Sequence, residues 1–441
     1  MFIQKIYKRS KDFFFSSTSR TKITVNVLWQ VGDKFIRMGM GLIVLFWIGR
    51  FLGTEQFGAF NIALAYITLF GAFANLGLDD IAAKAIVNDP MRTSMILGST
   101  FVLKFIGGVF VCLVASISIL LVSPDKPVEQ ILVIILSVSV VFQALNTIDF
   151  YYVAKVQSRY SIIAKNIPFL LVSVIKIVLL LTARLTVVQL AVLTSFETLM
   201  AGLLLVFFYQ KSHASVRKWK VSLPYCKELL KQSWPLIFSA LVITIYTRID
   251  QIMIGKMLGE SEVGIYSAAL RISEIWFFLP VIMAASIYPN LIETRKQDIQ
   301  LYQKRHLTLF RLMNAITFSG ALLITFCSEF IIKISWGESF IDAAPILSIH
   351  IWTGVFFFLG MGGSRFYIIE NLQYLHFRRT LCGAILNIVL NFILIPRYGG
   401  VGAAIGILIT QFFVSYFVEL FSQKTRILFL LKSKSFLLFK N

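Results

Sequence analysis

The sequence predicts an all-α polytopic membrane protein of about 12 transmembrane helices, arranged as two parallel six-helix repeats. Three observations lead there: apolar runs of membrane-spanning length recur along the chain, Lys and Arg fall on alternate connections, and one glycine-rich segment occurs twice in the same setting. The chain has 441 residues, of which 57% are apolar and 15% charged, with a mean hydropathy of +0.79. A soluble domain of this length needs far more charged surface, whereas a bilayer span needs roughly 20 apolar residues.

Apolar runs between polar breaks lie at about 27–49, 57–78, 94–122, 129–153, 161–182 and 187–209. After a basic linker they resume at about 234–256, 264–289, 308–334, 344–369, 378–396 and 400–422. The polar connections reach only about two dozen residues, which argues against an enzyme with a separate catalytic head. The run after the basic N-terminal stretch is too long for a signal-peptide core and lacks a small-residue cleavage site, so it reads as a retained first helix.

Cys112, Cys226, Cys327 and Cys382 are scattered singly and read as free thiols. His213, His306, His350 and His376 are equally dispersed, so neither a metal site nor another cofactor is expected. No GxxxxGK[ST] motif occurs, so ATP is not an evident energy source.

Twelve crossings put both termini on one side, and the cations say which. Connections on the N-terminal side hold 28 Lys and Arg, from Lys5, Lys8, Arg9 and Lys11 in the leader, through Lys211 to Lys231 in the linker, to Lys440 in the tail. The opposite connections hold six: Arg50, Lys126, Arg184, Lys256, Lys333 and Arg397. The positive-inside rule makes both ends cytoplasmic. The same residues account for most of the net charge of +20. Anionic membrane lipids are therefore expected partners, and nucleic acid is not.

The stretch Ile48-Gly49-Arg50-Phe51-Leu52-Gly53, with Gly58 beyond it, matches Ile254-Gly255-Lys256-Met257-Leu258-Gly259 and Gly264. Phe60/Tyr266, Ala63/Ala269 and Leu64/Leu270 continue the match at the same offset of about 206 residues. Glycines alone would mean only tight turns, but the fixed offset and the side-chain matches mean duplication. The expected organisation is a six-helix lobe over residues 1–210, a basic cytoplasmic linker over 211–233, and a second six-helix lobe with a basic tail over 234–441. The two lobes would be related by a pseudo-twofold axis along the membrane normal.

A charge at mid-bilayer costs at least roughly 2.5 kcal/mol, so intramembrane charges call for a reason. The first helix carries Asp33, Lys34 and Arg37, the seventh Arg248 and Asp250, and the eighth Arg271 and Glu274. Residues three or four apart share a helix face, which allows Asp33 with Arg37 and Arg271 with Glu274. Arg248 and Asp250, two apart, cannot face each other, so at least one seeks a partner elsewhere. Snorkelling to the interface accounts for Lys104, Arg311, Arg365 and Glu419. Lys176, Asp149, Glu197 and Glu329 are further charges at depth. Lys34, Arg37, Arg248 and Arg271 form a cationic lining suited to phosphate. The competing reading is a proton or cation relay through Asp33, Asp250 and Glu274.

The stretch from Arg248 to Gly259, continued by Gly264, Tyr266, Arg271 and Glu274, resembles the polysaccharide-biosynthesis transporter family. So do the run Pro280 to Tyr288-Pro289 and the hairpin Ile395-Pro396-Arg397-Tyr398-Gly399-Gly400. The resemblance covers essentially the whole chain. It implies an O-antigen flippase of the multidrug/oligosaccharidyl-lipid/polysaccharide exporter superfamily, with a V-shaped, cation-lined bundle in a bacterial inner membrane. Its cargo would be an undecaprenyl-pyrophosphate-linked repeat unit moved from the cytoplasmic to the periplasmic leaflet. Na⁺ or H⁺ would be the coupling ion, and polysaccharide polymerase or chain-length machinery would be its neighbours. Two alternatives remain at this point, a drug exporter of the same superfamily and a membrane polysaccharide polymerase. A polymerase would carry a large outer loop, and the outer connections here are short.

Overall fold

The computed structural model describes residues 18–212 and 215–437. The leader cations Lys5, Lys8, Arg9 and Lys11, the tail Lys440 and His213 lie outside these. The described residues form helices and turns without a strand. In order the helices are α1 (Thr18–Asn75), α2 (Asp79–Asn88), α3 (Thr93–Val122), α4 (Pro127–Phe142), α5 (Thr147–Ala154), α6 (Ser158–Leu181) and α7 (Val187–Lys211). There follow α8 (Leu223–Met257), α9 (Glu260–Ser273), α10 (Phe278–Gln297), α11 (Ile299–Ser335), α12 (Ala343–His350), α13 (Thr353–Ile369), α14 (Gln373–Ser415) and α15 (Arg426–Ser435).

Ten helical stretches among the described residues are long and apolar enough to cross a membrane. Two of them, Leu28–Asn75 and Gln373–Phe421, run to 48 and 49 residues. At 1.5 Å per residue each is about twice the length of the hydrocarbon core. Each also bends midway at a non-helical glycine, Gly53 (φ 75°) and Gly399 (φ 60°). Each therefore makes two crossings, and the ten stretches supply twelve. The chain is an all-α, multi-pass membrane protein.

Several spans are interrupted inside. The second breaks at Leu76 and Gly77, both with positive φ, between α1 and α2. The eighth breaks at Glu274–Phe277, between α9 and α10. Besides α1 with Leu76, three helices end in the left-handed conformation without a glycine, at Val156, Ala183 and Asn371. Each of these three ends is closed by a bond from the next amide back to the last turn: Gln157 N to Tyr152 O (2.8 Å), Arg184 N to Leu179 O (2.9 Å) and Leu372 N to Tyr367 O (2.7 Å). These bonds satisfy carbonyls that a helix end would leave unpaired.

The chain divides into two compact units. One comprises residues 1–48 and 70–241, the other residues 49–69 and 242–441. In the first, Ile86, Leu97, Ile148, Tyr152 and Leu205 form a buried core from α2, α3, α5 and α7. In the second, Leu291, Tyr302, Phe310, Leu359 and Leu428 do so from α10, α11, α13 and the terminal α15.

Within the second unit the two copies of the repeated motif meet. Gly53 and Gly259 occupy equivalent positions with φ 75° and 99°. Five residues on, Gly58 and Gly264 let the two helices cross with backbone touching backbone. A methyl on Gly58 would lie 1.7 Å from the Glu260 carbonyl oxygen, and one on Gly264 would lie 2.0 Å from that of Thr54. The contact is reciprocal, since Thr54 and Glu260 are themselves equivalent positions. The Thr54 and Ser261 hydroxyls hydrogen-bond across the crossing at 2.7 Å, and Phe57 packs at a tilt against Trp336 and edge-on against Phe340.

Two of the charges expected to snorkel do not. Lys104 is 4% exposed, donates to Asp79 at 2.9 Å and lies over the Phe150 ring. Glu419 is buried and accepts from Lys432 Nζ (2.7 Å) and Arg379 Nη1 (3.1 Å), while Lys432 also donates to the Ser415 carbonyl (2.6 Å). The reason is the tail. α15 folds back onto α11, where Asn314 donates to Ser435 (2.8 Å) and Leu428 and Leu431 join the core. This shields Glu419 from the interface and supplies its counter-charge. Burial drives the Lys432 ammonium down to about 8.

Candidate functional site

In the first unit the candidate charges lie on α1. Arg37 Nε donates to Asp33 at 3.0 Å, one turn apart, both about a third exposed. The Arg37 guanidinium also lies 5.1 Å from the Phe169 ring centroid on α6, a stacking contact that fixes its direction without neutralising it. Lys34 follows on the same helix and also interacts with neighbouring groups. Lys176 on α6 and Glu197 on α7 form a second pair at 3.9 Å, largely buried, and Glu197 also feels the Arg37 charge. The group of Asp33, Lys34, Arg37, Lys176 and Glu197 therefore has one more cation than anion.

In the second unit α8 and α9 each contribute an arginine. The expected Arg271–Glu274 contact is replaced by a closer one. Arg248 Nη2 stands 3.8 Å from Glu274 Oε2, both about a quarter exposed, with Arg271 close enough to interact electrostatically with both. Glu274 can serve two arginines because α9 ends at Ser273, so it lies in the break before α10. At 3.8 Å the pair is looser than a good charge-assisted hydrogen bond, and a bound anion could compete for either arginine.

Asp250 has hydrogen-bond partners of its own, although the Arg248 and Glu274 charges both reach it. It is buried, accepts from the Tyr266 hydroxyl and from the Gln251 amide (2.9 Å), and belongs to a polar layer between α8 and α9. Gln251 donates to Ser267 (3.1 Å) in the same layer, and Ser273 hydrogen-bonds His350 Nδ1 (2.7 Å) nearby. The rise and turn of one helix explain the division. Two residues advance the helix by about 200°, so Arg248 and Asp250 point to nearly opposite sides.

The Lys176–Glu197 pair and the bridging role of Glu274 are features that sequence reasoning did not join. Lys176 and Glu197 sit on separate helices, and only packing brings them together. No group of three or more His, Cys, Asp or Glu able to hold a metal is present among the described residues. The cysteines are free.

Residues 23–295 match the family described as "Polysaccharide biosynthesis protein". The "Probable low-salt glycan biosynthesis flippase Agl15" of Haloferax volcanii is 25% identical over 391 residues, spanning 83% of this chain and 76% of that protein. An inward-facing multidrug resistance MATE family transporter of the MOP superfamily superposes with a TM-score of 0.71 at 15% identity, over 93% of this chain and 98% of that one. The lipid II flippase MurJ in an inward closed conformation gives a TM-score of 0.70 at 16% identity, over 94% and 92%. The family match covers more than half of the chain, and those likenesses establish the fold, so this chain is a member of the polysaccharide biosynthesis protein family built on the helical fold of MOP-superfamily transporters.

Proposed function

We propose that the protein is a flippase that carries an undecaprenyl-pyrophosphate-linked polysaccharide repeat unit, such as an O-antigen unit, from the cytoplasmic to the periplasmic leaflet of a bacterial inner membrane. The observation that carries the reading is the Arg248–Glu274–Arg271 group at membrane depth, in a family that serves polysaccharide biosynthesis. Two arginines sharing one loosely held carboxylate can exchange that carboxylate for a phosphate at modest cost. The Haloferax relative named as a glycan biosynthesis flippase supports the same reading.

In this mechanism the two six-helix lobes expected at residues 1–210 and 234–441 alternate their access to the two sides. Lys34 and Arg37 receive the anionic head group from the cytoplasmic leaflet, and Arg248 and Arg271 hold its phosphates during transit. The lipid tail stays in the bilayer. An inside-negative potential favours outward movement of each negative charge by about 2.3 kcal/mol per 100 mV. Asp33 and Glu274 are the carboxylates whose pairing the cargo would disturb, and Na⁺ or H⁺ would be the ion exchanged there.

Surface polysaccharide in a strain lacking the chromosomal copy, complemented with Arg248→Ala or Arg271→Ala at matched membrane levels, tests the reading. Undiminished polysaccharide with both variants would remove the two arginines from the mechanism. A depleted strain should accumulate the lipid-linked sugar on the cytoplasmic leaflet.

A further inference from the structure

Each unit has a niche at the end where the basic connections lie, between its second and fourth spans. In the second unit this niche has a volume of about 450 Å³ and its polar wall includes Tyr288, Arg295, Lys296 and Glu370. It provides its own counter-charge: Glu370 takes both Nε (2.6 Å) and Nη2 (3.1 Å) of Arg295. In the first unit the corresponding niche, about 420 Å³, is built differently. Tyr151, Tyr209 and Trp219 wall it, Lys155 and Lys218 stand at it, and its lining includes no carboxylate. The nearby Asp89 is engaged with Arg92 at 3.1 Å.

The aromatic wall is rigidly held. Tyr151 meets Tyr209 edge-on at 5.1 Å, and the Trp219 indole donates to the Tyr209 hydroxyl at 3.2 Å. The linker that carries Trp219 and Lys218 is pinned to the start of α3: Ser94 Oγ donates to the Lys218 carbonyl, and the Lys220 amide donates to the Ser94 carbonyl (3.3 Å). Lys155 donates to the Tyr151 hydroxyl at 2.8 Å and lies over that ring, so its ammonium is aimed rather than free to swing. Around the niche Val87, Met91 and Val153 are exposed, Met91 at 94%. Exposed apolar side chains beside lysines mark a mouth at the boundary between lipid and water.

We propose that this niche is a binding site for a phosphate ester bearing a sugar or a polyol. The phosphate lies against the Lys155 and Lys218 ammonium groups, and the C–H faces of the ester group pack on Tyr209 and Trp219. The two cations without a carboxylate suit an anion. The ring faces carry partial negative charge toward the weakly positive C–H bonds of a sugar. Two kinds of membrane molecule present this chemistry, the head of a lipid-linked saccharide and the head of an anionic glycerophospholipid. The site does not depend on the transport reading, because it lies within one unit and binding is measured without translocation.

Calorimetric titration of the full-length protein in phosphatidylcholine nanodiscs tests it, with glucose 1-phosphate, glycerol 1-phosphate and inorganic phosphate as probes. Saturable binding of the esters is expected, with inorganic phosphate about tenfold weaker because it has nothing to stack. Lys155→Gln/Lys218→Gln should weaken both esters by about tenfold or more. These side chains are exposed, so an unchanged thermal midpoint serves as the control for folding. Trp219→Ala should weaken the esters and leave inorganic phosphate unchanged. Tighter binding of the glucose ester, which the breadth of the aromatic wall favours, identifies the saccharide head, and tighter binding of the glycerol ester identifies the phospholipid head. Absence of saturable binding by either ester, or affinities unmoved by the double lysine change, would overturn the proposal.

Discussion

The buried charges beneath the C-terminal helix allow a quantitative test of how α15 is held. Glu419 accepts from Lys432 at 2.7 Å and Arg379 at 3.1 Å, and the Arg379 guanidinium lies 4.4 Å from the Tyr367 ring centroid. Lys432→Met removes the ammonium and leaves the carboxylate with one cation where it had two. Breaking one partner of a buried pair costs about 3–5 kcal/mol, and the remaining arginine should keep the loss near the lower figure. Glu419→Gln leaves Lys432 and Arg379 as two buried cations with no anion, and its cost should reach the upper figure. The double variant Glu419→Gln/Lys432→Met removes opposite charges together. Replacement of a whole buried pair is often close to neutral, so the double variant should recover at least half of the summed loss. The assay is the thermal midpoint of purified protein for wild type, both single variants and the double. A double variant whose loss equals the sum of the singles would refute the reasoning, because it would mean that the two side chains act on stability independently.

Three further outcomes follow. Below about pH 8 Lys432 is charged in both folded and unfolded chains; between about 8 and the unfolded amine's 10.5 the fold releases the proton first. Its contribution therefore makes stability rise with pH across that window, and Lys432→Met should flatten the rise in a pH series of thermal midpoints. Gly58→Ala and Gly264→Ala should each cost about 1–3 kcal/mol, because backbone must give way at the crossing. Gly71→Ala, where a methyl meets nothing within 4 Å, should leave the midpoint unchanged or slightly higher, and parity of all three would count against the crossing. Glu274→Gln should tighten Arg248 and Arg271 on anions, read as slower release of a bound phosphate analogue; unchanged release would mean that the carboxylate does not compete with the cargo.

The twelve crossings were legible because the bilayer imposes a length and an apolar composition that composition alone reveals. The bends at Gly53 and Gly399 were also legible, since each glycine sits between two apolar runs. The left-handed ends at Val156, Ala183 and Asn371 were not. Nothing in a valine or an alanine announces positive φ, and tertiary packing imposes it against local preference. Burial of Glu419 was hidden for a related reason, since its partner Lys432 lies in a tail that reads as a solvated basic run until α15 is seen folded against α11. In the candidate site, helical phase gave the expectation that Arg248 and Asp250 take different partners. It could not say that Tyr266 would receive Asp250 or that Glu274 would prefer Arg248, because those pairings depend on how α8 and α9 pack.

The assignment of residues 49–69 to the second unit has a topological consequence. The polypeptide changes unit three times, after residues 48, 69 and 241, and not once at the basic linker. Severing the linker would not yield two self-contained pieces. The N-terminal fragment would still own a helical hairpin whose packing partners, Trp336, Phe340, Glu260 and Gly264, belong to the other fragment. Fragments produced separately should each leave an apolar surface uncovered, whereas fragments produced together should dock through that donated hairpin. A gene encoding either half alone would be expected to need its complement, so this exchange makes each half dependent on the other.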